Sequence, residues 1–210
     1  MISQKFFNYH FSTNNNKENF FVNQTNRQAF DIVIDNNFDQ NIFLFAPKKS
    51  GKSHLLSIWK EKNNALFFEN NFTEIIKLNK NIAIDDIFKN CSEEDAFHLI
   101  NHCKIYNLKI FVTSSVDLKD FEFKFKDLQS RLRSFYYLKI HIPDDEMCKM
   151  LMTKLFLDKQ IIIKHKEIFD FIFKRIDRTY DDIYSFVEKI DKLSLEKKRQ
   201  LTIPLIKEIL

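Results

Sequence analysis

The sequence predicts an α/β fold: a parallel sheet flanked by helices, followed by a smaller all-helical domain. Three observations carry this. Short, largely apolar runs at 42–45, 65–68, 82–84 and 109–113 alternate with longer stretches of helical spacing, the pattern of strands buried on both faces between crossover helices. Beyond residue 143 the spacing is helical throughout. The single glycine of the 210 residues, Gly51, stands between the first apolar run and a helix.

The elements follow in order. Residues 1–19 read as a flexible tail, with a polar run at 14–17 and an aromatic stretch at 4–11. Ala29, Phe30, Ile32 and Val33 give residues 25–37 a helical stripe. Ile42-Phe43-Leu44-Phe45 predicts a strand, and a helix follows from Lys52 to about Lys62. Strands are expected at 65–68, at 82–84 (ending in Asp85-Asp86) and at 109–113, with a helix over 93–104 between the last two. Leu138, Ile140 and Ile142 alternate with Lys139 and His141, predicting a fifth strand at 138–142. Pro143-Asp144-Asp145-Glu146 has the proline and acids of a helix start. Four helices are expected from there to Leu210, broken near 161–166, Thr179 and 201–203. The predicted organisation is a tail over 1–19, an α/β domain over 20–143 and a helical domain over 144–210.

Composition narrows the function. With 33 basic and 29 acidic residues, a net charge of +4, and no basic block, nothing marks a nucleic-acid surface. One glycine excludes the multi-glycine dinucleotide turn and the nucleophile elbow. Three cysteines without C-x-x-C spacing suit free thiols in a reducing compartment. The start of the chain has no secretory pattern, and no run approaches the ~20 apolar residues of a membrane helix. A soluble, cytoplasmic protein with no membrane partner is expected.

The chemistry concentrates in Ala46-Pro47-Lys48-Lys49-Ser50-Gly51-Lys52-Ser53. This matches the phosphate-loop pattern G-x-x-x-x-G-K-[ST] at every place but the first, in the strand–loop–helix context that the pattern requires. Backbone N–H groups and a helix N-terminus would hold an anion there. Lys52 would reach the β- and γ-phosphates and Ser53 would ligate magnesium. Gly51 occupies the place where backbone must approach phosphate closely, whereas Ala46 brings a Cβ to a place usually held by glycine.

Asp85 and Asp86 end a buried strand. Beside a phosphate loop the first suits magnesium binding and the second suits polarising a water; without such a loop the pair would read as the cap of a following helix. Thr113-Ser114-Ser115 ends the next strand, where a polar residue would sit beside the γ-phosphate. His98 and His102, four apart beside Cys103, are expected to be helix residues without a metal.

From about residue 20 to Leu210 the chain resembles the DnaA/Hda family of AAA+ ATPases, and most closely its short, Hda-like members. The matching residues are Phe45 through His54 and Leu55, Ile84-Asp85-Asp86-Ile87, Val112-Thr113-Ser114, Asp127-Leu128-Gln129-Ser130-Arg131-Leu132, Asp177-Arg178-Thr179, and the closing Leu201-Thr202-Ile203-Pro204-Leu205-Ile206-Lys207-Glu208-Ile209-Leu210. The resemblance implies a P-loop AAA+ domain with a parallel sheet, followed by a small helical lid. It implies ADP or ATP with Mg2+, held by Ala46, Pro47, Lys48, Lys49, Ser50, Gly51, Lys52, Ser53 and His54, with Ser114 beside them. Ser53 and Asp85 would hold the metal, and Asp86 would act on a water. Arg178 would point from the lid at the nucleotide, and Arg131 would be the arginine finger offered to a neighbouring subunit's site.

The same resemblance implies a regulator of chromosomal replication initiation. It would bind adenine nucleotide and stimulate hydrolysis of DnaA-bound ATP together with the sliding clamp, rather than turn over ATP steadily itself. Gln4, Phe6 and Phe7 would form the clamp-binding peptide. The partners implied are DnaA and the clamp, without sequence-specific DNA binding, and a homo-oligomer is compatible. The alternatives are an autonomous ATPase of helicase-loader type and an interaction module that no longer binds nucleotide.

Overall fold

The structure is a computed structural model that describes residues 20–35, 37–69, 72–163 and 167–210. Helix α1 (Arg27–Ile34) leads into strand β1 (Ile42–Phe45) and helix α2 (Lys52–Lys62). Then come β2 (Leu66–Phe67), α3 (Phe72–Leu78), β3 (Ile82–Ile84), α4 (Ile87–Asn90), α5 (Glu93–Ile105), β4 (Ile110–Ser114), α6 (Lys126–Arg133) and β5 (Tyr136–Lys139). The rest is helical: α7 (Asp145–Asp158), α8 (Glu167–Phe173), α9 (Tyr180–Lys197) and α10 (Ile203–Ile206).

The strands form one sheet in the order β2-β3-β4-β1-β5, every neighbouring pair parallel. Strand side chains alternate between two cores. Ile42, Leu44, Ala83 and Phe111 face one, with Leu55, Leu56 and Trp59 of α2 laid over them. Phe43, Ile82, Ile84, Ile110 and Val112 face the other, covered by Ile75, Ile87, Leu99, Leu128 and Leu132 from α3 to α6. Double-sided burial explains why β1, β3 and β4 read as unbroken apolar runs.

The first core continues into the helical part. Leu151, Met152 and Phe156 of α7 meet Ile183, Phe186, Val187 and Ile190 of α9, and Leu205 and Ile206 of α10 join them. Helix starts carry their caps: Ser92 accepts from the N–H of Asp95, Asp144 from that of Met147, and Thr179 from that of Asp182. Pro143 therefore precedes the cap of α7 instead of opening the helix.

Five elements differ from expectation. β5 pairs over 136–139, not 138–142, because β1 offers partners only from Ile42 to Phe45 and Tyr136 lies opposite Ile42. The alternation beyond it persists as isolated bonds, Ile140 N–H to Phe45 and His141 N–H to Thr25 (both 3.0 Å). α1 begins two residues late, after a turn stitched by Asn23 and Asn26 side chains. Helices α3, α4 and α6 had no clear periodic signal: two are very short, and α6 buries only Leu128 and Leu132. No helix among the described residues is long and apolar enough to cross a membrane.

Candidate functional site

Strand β1 delivers the chain into the 46–53 loop at the sheet's C-terminal edge. Ala46 is fully buried, and its N–H donates to the Ser114 carbonyl at 3.0 Å, extending the β1–β4 pairing by one residue. Positive φ in the loop falls on Lys49 (60°) and Gly51 (91°), not on Ala46. The first motif place thus makes no demand for glycine here, and the alanine is accommodated without backbone strain. Gly51 does need its freedom: besides its φ, a Cβ there would stand 2.8 Å from the Phe20 ring. Ser50 is buried with its hydroxyl unpartnered, an orphan polar atom within the loop. Lys52, only 9% exposed, opens α2.

The acidic pair lies beside this loop. The Ser53 hydroxyl donates to Asp85 at 2.6 Å, and the Thr113 hydroxyl donates to the other Asp85 oxygen at 2.6 Å. Thr113 also accepts from the Asp86 N–H at 2.9 Å. Asp86 has left-handed backbone (φ 47°) at the N-cap position of α4, but its side chain does not cap. Its carboxylate accepts instead from the Ser115 N–H at 2.8 Å and from the Ser115 hydroxyl. Strand alternation puts Thr113 and Ser115 on the acids. The fully buried Ser114 turns its hydroxyl into its own turn, donating to the Val116 carbonyl. Sequence reasoning placed Ser114 beside a γ-phosphate; the hydroxyls that reach the acids belong to its neighbours, and the β-strand period is the signal that separates them.

The helical part closes over the loop's outer side. Lys49 pairs with Asp181 at 3.2 Å and stands over the Tyr184 ring at 5.2 Å, both on α9. Arg178, just before α9, pairs with Asp145 in the first turn of α7. Phe20 stacks on Phe30 and meets His54 edge-on, so His54 packs behind the loop. Asn23 and Gln24 both donate to Asp144 at 2.8 Å. Burial pushes the Asp144 carboxyl up, but these donors and the Met147 N–H outweigh it and hold the group below its ordinary value. None of Phe20, Asn23 or Gln24 carries a motif, so sequence reasoning passed over them, and it read Asp144 only as part of a helix start. Lys48 is exposed and Pro47 half-buried.

Arg131 is elsewhere. Its helix packs Leu128 and Leu132 into the second core, on the sheet face opposite α2, and its guanidinium lies 4.8 Å from the Phe97 ring centroid. Gln4, Phe6 and Phe7 lie outside the described residues.

The arrangement fits a phosphate and a magnesium ion by its chemistry. Backbone with positive φ, an orphan hydroxyl and a helix start favour the anion. Ser53 and Asp85 offer adjacent hard oxygen donors suited to a cation that also binds phosphate oxygens. No cluster of three metal-binding side chains occurs among the described residues.

Residues 146–210 match the family model of the Hda lid domain. The chromosomal replication initiator protein DnaA of Buchnera aphidicola is 27% identical over 96% of this chain. The chain is thus similar to the DnaA/Hda family of AAA+ proteins, and its residues 146–210 match the Hda lid domain. It spans about half (51%) of the length of that DnaA. An uncharacterized protein of Haemophilus influenzae, 24% identical, matches over 92% of both chains. Among solved structures, domain III of Thermotoga maritima DnaA superposes with a TM-score of 0.72 at 17% identity, covering 92% of this chain and 94% of that one. AMPPCP-bound DnaA from Aquifex aeolicus superposes with a TM-score of 0.65 at 20% identity, covering 86% and 67%. These likenesses show the AAA+ fold, and α7 to α10 form its helical lid.

Proposed function

We propose that this chain, like the DnaA/Hda family it resembles, regulates chromosomal replication initiation in the cytoplasm: it binds adenine nucleotide at its own loop and stimulates hydrolysis of ATP held by DnaA. The observation that carries the reading is the separation of Arg131 from the chain's own phosphate loop. The loop's helix covers one sheet face and α6 covers the other. A finger on that far face is suited to a neighbour's nucleotide. A guanidinium supplied in trans neutralises charge on the γ-phosphate and is worth ~10³–10⁵ in rate.

At its own site, Lys52 would balance phosphate charge and the backbone of 48–52 would hold the phosphate oxygens. Ser53 and Asp85 would hold Mg2+, which when bound neutralises charge across the phosphates. Thr113 orients Asp85, and Ser115 fixes Asp86 beside it. Arg178 would reach the nucleotide from the lid. Support for adenine nucleotide comes from the loop and from the AMPPCP carried by the Aquifex DnaA. Gln4, Phe6 and Phe7 are proposed to dock on the sliding clamp by inserting aromatic anchors, so that inactivation follows ongoing replication.

The test is phosphate release from ATP-loaded DnaA, with clamp loaded on DNA, with and without this protein. Stimulation by the wild type that is lost in Arg131→Ala is the expected result. No stimulation by folded, nucleotide-saturated protein overturns the proposal; steady ATP turnover abolished by Lys52→Ala would instead indicate an autonomous ATPase.

A further inference from the structure

We infer that Lys49 is the residue through which the lid reads bound phosphate: its ammonium is shared between Asp181 of the lid and the nucleotide. This deepens, and rests on, the nucleotide reading above.

Lys49 holds a left-handed backbone (φ 60°), which side-chain-bearing residues other than Asn and Asp rarely adopt. That conformation lies at the tip of the loop, between Pro47 and Gly51, where phosphate would be wrapped. The ammonium nevertheless reaches outward, to Asp181 at 3.2 Å and over the Tyr184 ring at 5.2 Å. These residues sit in the first two turns of α9, one turn after Arg178. One lysine therefore ties the loop to the lid helix that follows Arg178.

The pair is built to exchange. The Lys49 and Asp181 side chains are 36% and 62% exposed, so the bond is solvent-screened and weak. A phosphate carries more charge than a carboxylate, and the loop's N–H groups concentrate it beside the same ammonium. Lys49 has three donors on a flexible stem and turns to the phosphate without moving the backbone. Asp181 then loses its lysine, and the tie between the first turn of α9 and the loop goes with it. Phosphate occupancy is thereby converted into a loosening of the first turn of α9 against the loop. Asp181 opposes binding until it yields the lysine.

The experiment has two arms. Without nucleotide, hydrogen exchange of the amides of 180–186 is followed in wild type, Lys49→Ala, Asp181→Asn and the double variant. Faster exchange in each single variant, with no further gain in the double, is expected. With ADP, titration calorimetry on the same proteins should show Asp181→Asn binding about two- to five-fold tighter than wild type, the range of an exposed ion pair. Lys49→Ala should bind about three- to ten-fold weaker, and the double variant should match Lys49→Ala. Unchanged or weaker ADP binding by Asp181→Asn overturns the proposal, as does a gain that persists without Lys49. Absence of ADP binding in every protein overturns the nucleotide reading and the phosphate competition with it, while the exchange arm still decides whether Lys49 ties lid to loop. Unchanged exchange in both single variants overturns that tie.

Discussion

Replacing Thr113 by valine removes one hydroxyl and little else, since the two side chains share a shape. Thr113 is fully buried, and its hydroxyl joins the Asp85 carboxylate to the Asp86 N–H. Its loss orphans the Asp86 N–H, which costs ~1–3 kcal/mol for a buried donor. Asp85 also loses a charge-assisted bond, but it keeps the Ser53 hydroxyl and is half exposed, so water limits that cost to ~1 kcal/mol. The sum is ~2–4 kcal/mol, or a fall in Tm of ~4–16 °C for a chain of this size. Thr113→Ser keeps the hydroxyl and deletes one buried methyl, ~0.8 kcal/mol and a fall of ~2–3 °C. Thermal unfolding followed by circular dichroism measures both. A Thr113→Val protein within about 2 °C of wild type, or a serine variant that falls as far as the valine one, would refute the assignment of the hydroxyl as the shared partner.

Gly51→Ala meets both an unfavourable φ and the Phe20 ring. A cost of ~2–3 kcal/mol in urea unfolding is expected, and Phe20→Ala in the same chain should recover only the contact part; full recovery would show that the backbone is not strained. The folded Asp144 carboxyl lies below its ordinary value of 3.8. Its stabilising share is complete above that value and disappears as pH falls through the lower folded one. Melts between pH 7 and pH 3 should therefore decline less steeply below pH 4 in Asp144→Asn than in wild type, and equal slopes would contradict this. Burial pushes Cys91 and Cys103 up to about 12, with Asp95 adding to Cys91. Burial and then Asp145 push Cys148 up to about 11. Native protein at pH 8 should react slowly with Ellman's reagent and release all three thiols on unfolding; rapid native labelling of Cys103 would count against its buried placement.

Much of the fold is legible in the residues because burial on both sheet faces leaves unbroken apolar runs. Ile42–Phe45 and Ile82–Ile84 needed no tertiary information, and the strand read over 109–113 lies one residue on, at Ile110–Ser114. β5 was misplaced by two residues because its edge position leaves Tyr136 and Tyr137 partly exposed, and register there is set by the length of β1. α6 was missed because its surface is polar apart from two leucines.

By itself the sequence determined the strand–loop–helix pattern around 46–53, the acidic strand end and the change to an all-helical segment. Each is local chemistry: a residue type needed within a few positions of another. The strand period separates Thr113 and Ser115 from Ser114, and tertiary structure alone decided that the acids lie on the side of the first pair. It also decided that Lys49 belongs to Asp181, that Asn23 and Gln24 converge on Asp144, and that Arg131 lies on the sheet face away from its own loop. These pairings join residues far apart in the chain, and only the packing of α9, β4 and α6 around one sheet brings them within a hydrogen bond's reach or holds them apart.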